Sequence, residues 1–308
     1  MSGALTAFLF PGQGAQSVGM AADLYADSPA ARAVFDEADD ALDERLSEVA
    51  FNGPAEALTL SHNAQPAILA ASVACLRAAE ERMDAAFPQP AFAAGHSLGE
   101  YTALVAAGAL ALADAVRLVR RRGELMQAAA EATPSGMAAV LGMALVDVEA
   151  VCAETGAQTA NVNSAEQIVI AGSNDALRRA SALAAERGAR RVVALDVAGA
   201  FHSEVMRPAQ QALAEELRTV PISAAHFSVV ANTTALPMTE PEEVRAELAE
   251  QVCAPVLWLA SMEFMGAQGI ARFIEFGPGK TLTALTRRIA PGAATANVAG
   301  LDGARALA

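Results

Sequence analysis

The sequence predicts an α/β protein in two parts: a larger unit with a parallel sheet, made of residues 1–130 and 199–308, and a small ferredoxin-like α+β insert at 131–198. Three observations predict it. A short apolar strand pattern runs through Gly95-His96-Ser97-Leu98-Gly99 into a helical one, the strand–turn–helix context in which GxSxG forms a nucleophile elbow. From Thr133 the texture changes to β-α-β-β-α-β, the ferredoxin-like order. After residue 198 the α/β texture resumes.

Taken in order, MSGALTAFLF has no basic region and no cleavage-site pattern, so it reads as a first strand (Ala7 to Phe10) rather than a signal peptide. Pro11-Gly12 closes it into the turn GQGAQ. Apolar residues at helical spacing predict helices over 30–49 and 65–81. Pro88 and Pro90 break the chain, and Ala91 to Ala94 reads as a buried strand. Helices follow over 100–107 and 112–130. In the insert, SGMAAVLGM is a strand, 147–154 a short helix, TANVNSAEQIVIAGS two strands around a turn, 174–187 a helix and ARRVVALDV a strand. Beyond it, FSVVANTTA and RFIEFGPG read as strands and 241–251 as a helix.

Composition excludes several function classes. A chain of 308 residues can bury a large core, and no apolar run reaches the 18 or so residues of a membrane span. The formal net charge of −14 disfavours nucleic acid and anionic membranes as partners. Cys75, Cys152 and Cys253 are far apart and odd in number, which argues against a disulfide framework and fits a reducing cytoplasm. His62, His96, His202 and His226 lack metal-ligand spacing, so no metal is expected.

The chemistry centres on Ser97. A serine between glycines reads as a nucleophile or as a turn residue. As a nucleophile it needs an imidazole within reach and donors for the oxyanion. His202, in VAGAFHSEVM at the junction of the two parts, is the candidate base; the competing reading is a capping or core histidine. His96 is adjacent to Ser97, so its side chain points away and reads as a positioning residue. Either Asp196 or a backbone carbonyl could orient the imidazole. Arg120, Arg121 and Arg122 cannot all face one way on a helix; Arg122 precedes Gly123, which permits close approach of another segment. An inward arginine offers a carboxylate a bidentate fork.

FPGQGAQSVGM, GHSLGEY, VRRRGELMQ, GAFHSEVM, QVCAPVLW and EFGPGKTLT occur in one order between residue 8 and about residue 288. Together they resemble the malonyl-CoA:acyl carrier protein transacylases of fatty acid synthesis, and are similar to the acyltransferase domains of polyketide synthases. The resemblance implies a hydrolase-like α/β core with an inserted ferredoxin-like subdomain. It implies that Ser97 carries the acyl group, that His202 is base and then acid, and that the main-chain carbonyl of Gln251 orients His202. Backbone N–H groups of Gln13 and Leu98 would form the oxyanion hole, and Arg122 would pair with the malonate carboxylate. Asn163 and His96 would line the cleft, and Phe201 before the histidine goes with malonyl rather than methylmalonyl units. The substrates implied are malonyl-CoA and holo-acyl carrier protein, in ping-pong order, with no metal or tightly bound cofactor, in a cytoplasmic monomer. Carrier proteins are acidic, so Lys280, Arg287 and Arg288 are candidates for docking one.

Three rivals remain. An esterase or thioesterase of the α/β-hydrolase class runs Ser, acid, His and carries an HGGG-type motif; no HGGG occurs here, and Arg122 would have no task. A discrete acyltransferase of a polyketide pathway shares all the chemistry. A non-catalytic binder has no reason to keep serine, histidine and arginine together.

Overall fold

A computed structural model describes residues 5–308. Its strands are β1 (Leu5–Phe10), β2 (Phe92–Gly95), β3 (Ser135–Leu141), β4 (Gln158–Ser164), β5 (Gln167–Ser173), β6 (Arg191–Ala194), β7 (Ser228–Val230), β8 (Pro237–Met238), β9 (Ile270–Phe276) and β10 (Ala294–Val298). They form two sheets. The larger has the order β10-β9-β1-β2-β7-β8 and is parallel except at the β7–β8 edge. β1 is central and buried at every position after Leu5, as a parallel strand covered on both faces must be. Phe8 and Phe276 meet edge-on with ring centroids 4.9 Å apart in the core on one face.

The smaller sheet, β4-β5-β3-β6, is antiparallel throughout. The helices Leu145–Thr155 and Asn174–Glu186 alternate with its strands, in the β-α-β-β-α-β order expected. A parallel bridge between Asn161 and Val256 ties it to the larger unit, and the chain segment from Gln251 to Val256 lies at that junction.

Several boundaries differ from expectation; FSVVANTTA, for one, is strand only over Ser228–Val230. The helix expected over 30–49 is two, Pro29–Leu42 and Leu46–Asn52, divided where Asp43 turns left-handed (φ 52°). The helix expected over 65–81 is Ser61–Met83; its first turn closes on Leu60 O through the Asn63 and Ala64 amides, so Pro66 sits one turn inside. The last insert strand stops at Ala194 rather than 197, leaving Asp196 exposed in the crossing segment. Among the described residues no helix is long and apolar enough to cross a membrane.

Candidate active site

β2 delivers the chain to Gly95, and the helix Gly99–Ala106 starts four residues later. The turn is tight because the neighbours are backbone. A Cβ on Gly95 would lie 1.9 Å from the Gly99 carbonyl carbon, and one on Gly99 2.1 Å from Phe10 O. Neither glycine takes a positive φ; Ser97 does, at 52°, a conformation that costs a non-glycine residue roughly 1–2 kcal/mol. Its N–H donates to Asn232 Oδ1 at 2.7 Å, and its carbonyl accepts from Gln251 Nε2 at 2.9 Å. These bonds hold the strained turn.

Ser97 Oγ lies 2.7 Å from His202 Nε2. His202 is also left-handed (φ 57°), in the segment that returns from the small sheet. Its Nδ1 lies 2.9 Å from Gln251 O and 3.1 Å from Ala254 O. Carbonyls only accept, so Nδ1 carries the proton and Nε2 is free to accept from the serine. Two backbone carbonyls therefore orient the imidazole, and Asp196 is not among its partners. Burial, then the charge of Arg122, push the His202 pKa down to about 3, against the pull of the two carbonyls. The imidazole is neutral at physiological pH.

Arg122 projects inward from the helix Leu112–Ala132 and is 1 % exposed. Gly123 lets that helix lie against the start of the helix Ser61–Met83; a Cβ there would be 2.5 Å from Ser61 O. The two preceding arginines point elsewhere, Arg120 to Asn63 and Glu44, Arg121 to Glu124 and Glu216. Arg122 donates to Gln65 Oε1 (2.7 Å), Gln251 Oε1 (3.0 Å) and Ser97 Oγ (3.1 Å). Its Nε has no partner, and no carboxylate touches the guanidinium among the described residues. A buried cation without a direct counter-ion is costly, and burial lowers its pKa. The group is poised for an anionic ligand beside Ser97.

A cleft of about 580 Å³ between the two sheets opens onto these groups, lined also by Gln13, His96, Asn163, Met126 and Phe201. Leu98 and Gln251 lie beneath it, fully buried. The Gln13 side chain is fixed by Ser61 and Gln65. The Gln13 and Leu98 N–H groups donate to no acceptor among the described bonds, so both can serve a ligand oxygen. His96 turns away from Ser97 Oγ: its Nε2 lies 2.9 Å from Asn163 Oδ1 and its ring leans on Trp258. Burial lowers its pKa, so the neutral ring donates to Asn163. Among the described residues no three His, Cys, Asp or Glu side chains converge to hold a metal ion.

Sequence reasoning missed Gln65, Asn232 and Glu100. Gln65 and Asn232 lie in mixed polar and apolar segments, NAQPA and VVANTTA, which give no local sign that the two side chains are buried. Glu100 sits in the first turn of a helix, where an acidic residue is ordinary.

A serine held at a strained turn, a neutral imidazole against it, two free amides and a buried cation can run acyl transfer on an anionic acyl group. The comparisons with known proteins agree. The acyl transferase domain family matches residues 7–302. The malonyl CoA-acyl carrier protein transacylase of Bacillus subtilis is 47% identical over 288 residues, 92% of this chain and 90% of that protein. That of Escherichia coli K12 is 42% identical over 287 residues, 92% of each. Among solved structures, acyl-carrier-protein S-malonyltransferase from Bartonella henselae superposes with a TM-score of 0.94 at 41% identity, covering 98% of both chains. A malonyl-transacylase in complex with its type II PKS acyl-carrier protein gives a TM-score of 0.94 at 37% identity, again over 98% of both. The chain belongs to the acyl transferase domain family.

Proposed function

We propose that this chain is an acyl-carrier-protein S-malonyltransferase: it moves the malonyl group of malonyl-CoA to the phosphopantetheine thiol of an acyl carrier protein through an ester on Ser97. The observation that carries the reading is the buried Arg122 guanidinium 3.1 Å from Ser97 Oγ, a cation placed within one short acyl group of the nucleophile. An esterase acting on neutral acyl groups gains nothing from it.

In the first half-reaction Ser97 Oγ attacks the thioester carbonyl as its proton passes to His202 Nε2. The Gln13 and Leu98 amides take the charge that develops on the carbonyl oxygen. The tetrahedral species collapses, the C–S bond breaks, and His202 returns the proton to the CoA sulfur. In the second, the carrier thiol gives its proton to His202 and attacks the Ser97 ester, and the Ser97 oxygen leaves as the hydroxyl. Thioester and ester are exchanged symmetrically, so no redox or metal step is needed, and the reading includes no tightly bound cofactor. The malonate carboxylate exchanges with Ser97 Oγ as the partner of Arg122. It thereby offsets the charge that, after burial, depresses His202, and that part of the depression is relieved when the correct substrate is bound.

Phe201 lines the cleft beside His202, and in this reading its bulk favours malonyl over an α-methyl-bearing acyl group. In this reading residues 1–130 and 199–308 form the hydrolase-like core with the nucleophile elbow, and 131–198 the ferredoxin-like insert; the self-contained antiparallel sheet supports the division. Three free cysteines support a cytoplasmic location, and we take the protein as a monomer that supplies extender units for fatty acid synthesis. The relative bound to a type II PKS carrier protein supports a second reading, the same transfer in a polyketide pathway; comparing kcat/KM for fatty acid and polyketide carriers separates the two.

The test is transfer of malonyl from malonyl-CoA to a holo carrier protein, followed by mass spectrometry. Lys280 and Arg288 are exposed at a second cavity that adjoins the cleft and shares Gln167, Thr281 and Leu285 with it. Reversing both charges slows the second half-reaction by about tenfold or more at low salt while Ser97 still takes malonyl from malonyl-CoA. Unchanged carrier kinetics remove these residues from the docking surface. The pH profile gives an independent check. The acid limb of Ser97 acylation falls well below about pH 6.5, the ordinary histidine value, because His202 is held neutral; a limb centred at 6.5 contradicts that account of the base.

A further inference from the structure

The acyl transfer steps leave one buried titratable group without a task. Glu100 lies in the first turn of the helix Gly99–Ala106, is 0 % exposed and, among the described residues, touches no cation directly. Its Oε1 accepts from the Asn232 backbone N–H at 2.8 Å and from the Asn232 side-chain amide at 3.2 Å. Its Oε2 accepts from Gln251 Nε2. Both partners hold the backbone of Ser97: Asn232 Oδ1 takes the Ser97 N–H and Gln251 Nε2 donates to Ser97 O. Gln251 also presents Oε1 to Arg122 and its carbonyl to His202. One carboxyl group is thus the common partner of the contacts that fix the left-handed turn at Ser97.

The hydrogen-bond pattern assigns its charge. Three N–H donors aim at two oxygens, and among the described residues no acceptor faces a carboxyl proton. Gln251 cannot flip to provide one, because its Oε1 is engaged by Arg122. The titratable groups packed around Glu100 are Glu247, Arg122 and Tyr101. Burial, then Glu247, hold the Glu100 pKa well above the ordinary carboxylate value although Asn232, Gln251 and Arg122 pull it down; the donor geometry, not the pKa, assigns it as the carboxylate. An ionised Glu100 also supplies Arg122 with negative charge across one amide. That charge favours the cation without touching it, and leaves the guanidinium edge open for a substrate carboxylate.

We propose that Glu100 is a positioning residue, whose carboxylate fixes the backbone of the nucleophile through Asn232 and Gln251 and sets the orientation of the amide that faces Arg122. The inference rests on Ser97 being the nucleophile of the proposed reaction.

Glu100→Gln keeps the shape but turns one terminal oxygen into an N–H donor. Whichever way the amide points, it meets donors of Asn232 or Gln251, so one of these contacts to the Ser97 turn loosens. Misplacing a reacting group by about 1 Å can cost on the order of 100-fold in rate. The expected result, per folded molecule, is a loss of that size in the rate of Ser97 acylation by malonyl-CoA, with KM within about twofold of the original, on the same principle that positioning acts on the reacting geometry. The second readout is Ser97 sulfonylation by phenylmethanesulfonyl fluoride, in which the serine oxygen bonds to sulfur, fluoride leaves and His202 takes the proton; it should slow in parallel. That probe carries no malonyl group. An unsubstituted protein that is sulfonylated but takes no malonyl overturns the proposed substrate and leaves the role of Glu100 standing. Should E100Q fail to fold, Glu100→Asp keeps the charge and withdraws it by one methylene, and a loss of about tenfold or more is expected from the same misplacement. A folded E100Q or E100D that reacts with both reagents at the original rates overturns the inference.

Discussion

Replacing Ser97 by alanine abolishes covalent uptake of the acyl group and lowers carrier malonylation on the order of 10⁶-fold, the scale seen when a catalytic serine is removed from a serine–histidine pair. The fold should survive. Among the described residues Ser97 Oγ bonds only His202 and Arg122, both at the cleft, where water can replace it. The turn itself is held by the Ser97 backbone bonds to Asn232 and Gln251, which alanine keeps. The variant is checked by intact mass after exposure to malonyl-CoA and by the rate at which malonyl appears on a holo carrier protein. An acyl adduct that persists in Ser97→Ala places the nucleophile elsewhere.

Arg122→Ala produces the second large effect, and it falls on selectivity. A malonate carboxylate bound where the guanidinium stood is buried and unpaired, and breaking such a pair costs roughly 3–5 kcal/mol, which is about 10²- to 10³-fold or more in kcat/KM for malonyl-CoA. An acetyl group loses no pairing. It also escapes the penalty, present in the unsubstituted protein, of leaving the cation without a partner, so its rate holds or rises and the malonyl-to-acetyl ratio collapses. Arg122→Lys does not restore it. A single ammonium cannot replace the planar donors that reach Gln65, Gln251 and Ser97 together. Initial rates with the two thioesters at equal concentration give the ratio directly; a ratio unchanged in Arg122→Ala removes the carboxylate from Arg122.

The parts of this site legible in the sequence are those whose local chemistry is unusual for its place. Gly95 and Gly99 bracket a serine between a strand and a helix, and that corner needs them because backbone passes within contact of each Cβ position. Arg122 was separable from Arg120 and Arg121 because three successive helical residues splay about 100° apart, and one faces inward. The orienting partner of His202 was not legible from the residues alone. A carbonyl has no side-chain signature, so Asp196 competed with it until Gln251 O and Ala254 O were found at Nδ1. Glu100, Asn232 and Gln65 stayed hidden for a related reason. Each is an ordinary residue in its segment, and its burial follows only from elements distant in sequence that close over it, such as the Gln251 segment 151 residues beyond Glu100. The fold followed the same rule. The helices and strands that were expected are present, but the helices Arg207–Leu217 and Thr281–Ile289 and the strand Ala294–Val298 were not anticipated, and breaks such as Asp43 and the stop after Ala194 depend on tertiary packing.

The most direct test of the central claim, that Ser97 takes a malonyl group and surrenders it to a carrier thiol rather than to water, is intact-mass analysis after brief mixing with malonyl-CoA, with acetyl-CoA in parallel, before and after addition of holo carrier protein. The account predicts a malonyl adduct that maps to Ser97, forms far faster than any acetyl adduct, and disappears as the carrier gains the same mass. Release of free malonate with no adduct and no gain by the carrier would contradict it and make the protein a hydrolase.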